Sequence, residues 1–263
     1  HCNSVMEAIR GNLVALKHKP AAVELMDKTI LDCAKQNISQ RKNRFFLKDD
    51  PGAILMVEFI ETEEDVLQQK IASMEQEMRQ EGLGTHFPMV TGDDISKVWA
   101  LRKAGLGVLS NLPGEGRPVS VIEDTSVNVE VLEDYITEFN ELLQRFGLDC
   151  VYHAHISVGE LHLRPILNLK DPDHVRLFHD IALETARLVK KYRGSLSGEH
   201  GDGRLRGEFI RLMVGDQNYN LISKVKEIFD PARVFNAGKI LDTPPMNTFL
   251  RFDPGHVPPG YST

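Results

Sequence analysis

Between Val151 and Pro165 the chain runs V-Y-H-A-H-I-S-V-G-E-L-H-L-R-P, and its polar and apolar residues alternate. Period-two alternation marks strands with one face on a core and the other free. Taken as two strands joined by Ser157, Val158, Gly159 and Glu160, the segment is a hairpin. Ile156 then opposes Leu161, His155 opposes His162, Ala154 opposes Leu163 and His153 opposes Arg164. One face carries Ala154, Ile156, Leu161 and Leu163; the other carries His153, His155, His162 and Arg164. On one continuous strand His155 and His162 would point to opposite sides, and the turn at Gly159 is what lets them converge. Directly opposed residues have Cβ atoms about 4.5–5.5 Å apart, near enough for two imidazoles to share one metal ion. The apolar face requires helices packed on it, and the polar face requires a site. The plain alternative is a half-exposed hairpin with ordinary surface histidines.

The rest of the chain supplies the helices. Val23, Met26, Ile30 and Ala34 predict a helix over about 21–36, and Ala53 to Ile60 predict a central strand. Thr62 and Asp65 form a candidate capping box ahead of the stripe Leu67, Ile71, Met74 and Met78. A further helix is expected over Ile95 to Lys103, then a loop from Gly105 to Gly116, then a strand from Arg117 to Asp124. Asn128 and Gly147 bracket a helix with Tyr135, Phe139 and Leu142 on its buried stripe. Asp171 and Pro172 open another, and a last helix spans Gln217 to Phe229, stopped by Asp230 and Pro231. Strands carrying helices, with few tight hairpins, indicate an α+β fold: an antiparallel sheet with helices packed on one face. Residues 1–241 form the domain, and the proline-rich 242–263 a linker or tail.

A second polar segment follows, the glycine-dense G-S-L-S-G-E-H-G-D-G-R-L-R-G-E from Gly194 to Glu208. Glu199 can add a carboxylate to His155 and His162, giving two histidines and one carboxylate with open positions. His200 would stand beside the metal as an imidazole, the side chain suited to proton transfer near neutral pH. Arg102, just after the single tryptophan Trp99, is a candidate holder of a carboxylate. No spacing rule ties these segments together.

Bulk properties narrow the classes. Lys and Arg number 31 against 38 Asp and Glu, a formal charge of −7, which disfavours nucleic-acid binding. Cys2, Cys33 and Cys150 are widely spaced, against a disulfide framework or zinc ribbon, and fit a reduced, cytoplasmic setting. The longest apolar run, Ala53 to Val57, is far too short to span a bilayer. The first residue is His1 rather than Met, as expected of a piece of a longer protein.

Together, Trp99 to Arg102, the run R-P-V-S-V-I-E-D from Arg117 to Asp124, His155 to His162, the run S-G-E-H-G-D-G from Ser197 to Gly203, Phe229 to Pro231 and Phe235 to Ile240 resemble one family. It is the C-terminal domain of FAD-linked oxidases of the vanillyl-alcohol-oxidase superfamily, of the D-lactate, glycolate and D-2-hydroxyglutarate dehydrogenase type, in its long bacterial form. The resemblance implies a ferredoxin-like sheet whose open face covers the flavin. It also implies an FAD-binding domain upstream, an iron–sulfur domain downstream, and a place in the cytoplasm or at the inner face of the membrane. Carried over, His155, His162 and Glu199 hold a divalent metal, zinc or manganese, and His200 is the catalytic base. Arg102 clamps the substrate carboxylate, with Arg117 and Arg164 as further substrate-binding residues. Hydride would pass from C2 of a 2-hydroxy acid to FAD, with His200 taking the hydroxyl proton. The hydroxyglutarate enzymes carry Lys where this chain has Arg117 and Asn where it has Arg164, so which acid is used stays open. The flavin's phosphate loop is absent, because Gly105 and Gly107 do not continue into a dinucleotide fingerprint. The same donor set would also serve a stand-alone metal-dependent hydrolase, and the same fold a non-catalytic small-acid binding module.

Overall fold

The computed structural model describes residues 1–251. In chain order the elements begin with α1 (Val5–Lys17), β1 (Ala22–Asp27), α2 (Lys28–Gln36), β2 (Ala53–Glu58), α3 (Glu64–Gln80) and α4 (Asp94–Leu109). They continue with β3 (Arg117–Pro118), β4 (Ile122–Ser126), α5 (Leu132–Phe146), β5 (Cys150–His155), β6 (Glu160–Leu167), α6 (Pro172–Lys191) and α7 (Ile210–Phe229). The strands form an antiparallel sheet in the order β2-β1-β5-β6-β3, and β4 also pairs with β6. Because β4 and β5 both run antiparallel to β6, they are parallel to each other and joined through α5. This is the split βαβ arrangement of a ferredoxin-like fold.

The expected helix over 21–36 is half strand. Val23 and Leu25 bury one face of β1 and Met26 the other, with β2 and β5 on its two edges. Asp27 then starts α2 by accepting the Ile30 N–H at 3.1 Å. Of the four apolar residues at helical spacing, Ile30 and Ala34 do lie in a helix, but Val23 and Met26 lie in the strand, where pairing on both edges decided it. Val5–Lys17 is a helix that the sequence reading omitted; Ser4 caps it and Ala8, Ile9 and Ala15 are buried. The expected cap at Thr62 is not made: α3 starts after Glu63, with no side-chain cap. The expected strand over 117–124 is two strands, β3 and β4, laid along one edge of β6. α4 runs on through Gly105 and Gly107, and α7 begins earlier than expected, with a break at Gly215 (φ 79°). Residues 242–251 lie against the body, where Met246 is buried and its N–H donates to Glu208. The remainder of the expected tail lies outside the described residues.

The two faces of the sheet differ as the hairpin pattern requires. Val23, Leu25, Ala154, Leu161 and Leu163 join Ile9, Tyr135, Phe139 and Ile181 from α1, α5 and α6 in the main core. The other face is covered at one end only, where α2 and α4 pack Ile30, Leu31 and Leu101 on Met26, Ile54 and Val151. The α+β class holds, with helices on part of the second face as well. What α2 and α4 leave uncovered is the polar end of β5 and β6.

Candidate metal and acid–base site

The hairpin turns one residue earlier than expected with a loop of the same length, so each residue's partner shifts by two. Ile156–Val158 form a single 3₁₀ turn ended by Gly159 at φ 73°, so β6 begins at Glu160. His153 therefore opposes His162 and His155 opposes Glu160, in place of the pairs His155 with His162 and Ile156 with Leu161. Ile156 drives the change: it is fully buried in the main core, and its carbonyl accepts from Asn12 at 3.1 Å, so it leaves the ladder. A shift of two residues preserves the faces. His153, His155 and His162 still share one side, with ring centroids 4.8 Å apart for His153 and His162 and 5.1 Å for His155 and His162.

Glu199 and His200 come to this face from the segment between α6 and α7. The Nε2 atoms of His155 and His162 each lie 3.7 Å from Glu199 Oε1. The ligand atoms of these three residues all lie within 4.8 Å of one another. Ligands about 2.1 Å from a tetrahedral zinc sit about 3.4 Å apart, so small side-chain adjustments complete a cation site. The donor types fit as well. His155 Nδ1 is 2.8 Å from Glu24 Oε1, which leaves Nε2 as the atom facing Glu199. Burial, with the nearby His155 charge, pushes His162 down to about 4, so its ring is neutral and has a lone pair to give. His155 is raised by its hydrogen bond to Glu24, so a cation would compete with a proton there. His200 stacks on His162 with centroids 5.6 Å apart, and its Nε2 is 3.4 Å from Glu199 Oε1.

Two acids that sequence reasoning passed over organise the site. Glu24, buried on β1, takes His155 on one oxygen and the Arg102 Nε–H, at 2.8 Å, on the other. Asp124 is fully buried at a bulge in β4, with φ 79°. Its carboxylate accepts the backbone N–H of Glu199 at 2.8 Å and of His200 at 3.0 Å, and the Ser197 hydroxyl. Burial opposes its charge, but bonds from Ser197, Glu199, Glu160 and His200 hold it down at about 2. Glu160 beside it is pushed up to about 7 by burial and by the Asp124 carboxylate. The available signals were a glutamate at an inward-facing position of an apolar strand and an acid pair, Glu123 and Asp124, in a strand.

The three arginines fall in different places. Arg102 is buried, paired with Glu24 and touching His153, so its guanidinium is engaged within the protein. Arg164 lies two residues from His162 on the same face, in an ion pair with Glu123, and its buried Nε has no hydrogen-bond partner. Arg117 is not brought to the site: it is exposed on β3 and donates to the carbonyls of Leu112, Gly114 and Gly116.

With this geometry in hand, likenesses to known proteins become informative. Residues 1–240 match the family described as FAD linked oxidases, C-terminal domain. D-2-hydroxyglutarate dehydrogenase of Pseudomonas putida is 35% identical over 245 residues, covering 90% of this chain and 24% of that protein. The enzyme of that name from Escherichia coli is 31% identical over 260 residues, covering 93% of this chain and 25% of that protein. D-lactate dehydrogenase of Archaeoglobus fulgidus is 25% identical over 234 residues, covering 87% of this chain and 47% of that protein. The chain thus spans about a quarter of the length of the hydroxyglutarate relatives. A family match over nearly the whole described chain, with relatives above 30% identity across it, makes this chain a member of the FAD-linked oxidase C-terminal domain family.

Proposed function

We propose that this chain is the substrate-facing domain of an FAD-dependent dehydrogenase that oxidises a D-2-hydroxy acid to the 2-oxo acid, together with an FAD-binding unit. The observation that carries the reading is the meeting of His155, His162 and Glu199, with His200 beside them, on the part of the sheet that no helix covers. His155 and His162 through Nε2, and Glu199 through Oε1, would hold a divalent cation, zinc or manganese. When bound, the cation would supply charge that favours the ionised substrate hydroxyl, and FAD would supply the electron acceptor. His200 takes the hydroxyl proton at Nε2. Its Nδ1 lies 3.9 Å from Glu123 and 3.8 Å from Asp124.

A substrate carboxylate would be held by Arg164, whose unpartnered Nε supports that role, with Arg102 holding Glu24 and His155 in place. That carboxylate would be the second one of a diacid such as 2-hydroxyglutarate, which the names of the 30%-identical relatives also favour. Length left over in those relatives leaves room for the FAD-binding unit and for an iron–sulfur domain. Unpaired Cys2, Cys33 and Cys150 support a reducing, cytoplasmic setting. Among the described residues no helix is long and apolar enough to cross a membrane.

The test uses the FAD-containing enzyme. His155→Ala, His162→Ala and Glu199→Gln should each lower bound metal and turnover together. His200→Ala should keep its metal and lose roughly 10²–10⁴ in kcat. Unchanged metal stoichiometry in the first three variants would remove those residues from the ligand set. A preference for D-lactate over D-2-hydroxyglutarate that Arg164→Met leaves intact would remove the second-carboxylate reading.

A further inference from the structure

Asp124 occupies an unusual position for a buried acid. It is the extra residue of a β-bulge: Glu123 pairs with His162 and Thr125 with Leu161, leaving Asp124 outside the ladder. Its φ of 79° is a conformation that L residues other than Asn and Asp rarely adopt. A bulge re-aims one side chain. Here Glu123 keeps to the histidine face and Thr125 lies against Tyr135 of the core, while the side chain between them turns to the segment 197–200. There its two oxygens take the N–H groups of Glu199 and His200 and the Ser197 hydroxyl, and its own carbonyl takes the Gly198 N–H at 2.8 Å. Every residue from 197 to 200 is thus tied to Asp124. The Glu199 and His200 side chains are 47% and 41% exposed, so burial does not hold them in place. Their segment has no regular structure of its own.

We infer that Asp124 is the positioning residue that presents Glu199 and His200 to the histidine pair, so that the donor set is completed by a strained strand residue rather than by the segment that carries the donors. The inference rests on the proposed ligand set. Asp124 touches neither metal nor substrate in this role. It acts through two backbone N–H groups, and outer contacts of this kind are worth about 10–100-fold in metal affinity.

The experiment uses the full chain with Zn²⁺ alone as probe. Asp124→Asn suits it, because Asn tolerates positive φ as well as Asp does and keeps the bulge. It loses the negative charge and places an NH₂ group against one of the two N–H donors. Amide hydrogen exchange at residues 197–200 and Zn²⁺ affinity are measured for wild type, Asp124→Asn, His155→Ala and Phe139→Leu. The last is a core variant that lowers stability on the far face of the sheet. In Asp124→Asn the amides of Glu199 and His200 should exchange at least tenfold faster and Zn²⁺ binding should weaken about 10–100-fold. Phe139→Leu should leave both unchanged, which separates positioning from general destabilisation. Unchanged exchange at 199 and 200 in Asp124→Asn overturns the inference. So does unchanged Zn²⁺ affinity in Asp124→Asn when His155→Ala abolishes binding, since the ligand set is then right and Asp124 does not serve it. If His155→Ala also binds as wild type, the ligand set itself is wrong and the inference falls with it.

Discussion

Replacing Glu24 by Gln removes one charge from a buried cluster and leaves its shape. Glu24 and Arg102 have side chains only 8% and 9% exposed, with Arg102 Nη2 2.6 Å and Nε 2.8 Å from Glu24 Oε2. After the substitution the guanidinium stays buried beside His153, which is kept neutral by its own burial and by that same cation. No other carboxylate is paired with Arg102 among the described residues. Removing one partner of a buried pair typically costs about 3–5 kcal/mol, because the remaining charge is left uncompensated. For a chain of this size each kcal/mol lowers Tm by about 2–4 °C, so Glu24→Gln should melt roughly 6–20 °C below wild type. Replacing both partners removes the stranded charge, and Glu24→Gln with Arg102→Met should therefore melt above Glu24→Gln alone. Thermal unfolding followed by circular dichroism, in metal-free buffer, measures all three. A loss under about 2 °C in Glu24→Gln would mean that water reaches and solvates Arg102, and the reasoning would be wrong. A double variant less stable than the single one would refute it equally.

Two further outcomes follow from buried groups and backbone geometry. Burial raises Asp27 from 3.8 to about 6, outweighing the N–H bonds from Tyr152 and Ile30. The folded protein then binds more protons than the unfolded chain between about pH 4 and pH 6, so this group's stabilisation is complete below pH 4 and is lost as pH rises through 6. Urea unfolding of wild type and Asp27→Asn across that range should show wild type losing up to about 3 kcal/mol relative to the variant, and parallel curves would contradict it. Gly159→Ala should be far more damaging than Gly147→Ala, although both glycines sit at positive φ. A Cβ on Gly159 would lie 1.9 Å from the Val127 carbonyl oxygen, whereas one on Gly147 meets nothing within 4 Å. Gly147→Ala should cost about 1 kcal/mol by chemical denaturation and Gly159→Ala several times that, and equal losses would show that the hairpin yields without strain.

Local alternation was enough to put His153, His155 and His162 on one face and Ala154, Leu161 and Leu163 on the other, because side-chain direction in a strand repeats every two residues whatever surrounds it. Capping chemistry likewise placed the start of α6 at Asp171 and the end of α5 at Gly147, since these residues act within one turn of their own backbone. The motifs of the hairpin and of Ser197 to Gly203 also sufficed to name the family that the comparisons identify. Register was another matter. Burying Ile156 in a core built from α1, α5 and α6 closed the hairpin one residue early and shifted every partner by two, and no local pattern contains that preference. Ala22–Asp27 became a strand because β2 and β5 were there to pair with it. The partners of the charged groups were also decided by tertiary structure. Arg102 meets Glu24 across 78 residues, and Asp124 meets Glu199 and His200 across 75 and 76. Charge pairing depends on distances through space that only the assembled sheet sets, so the sequence could supply the histidines and the acids but not which acid would hold which.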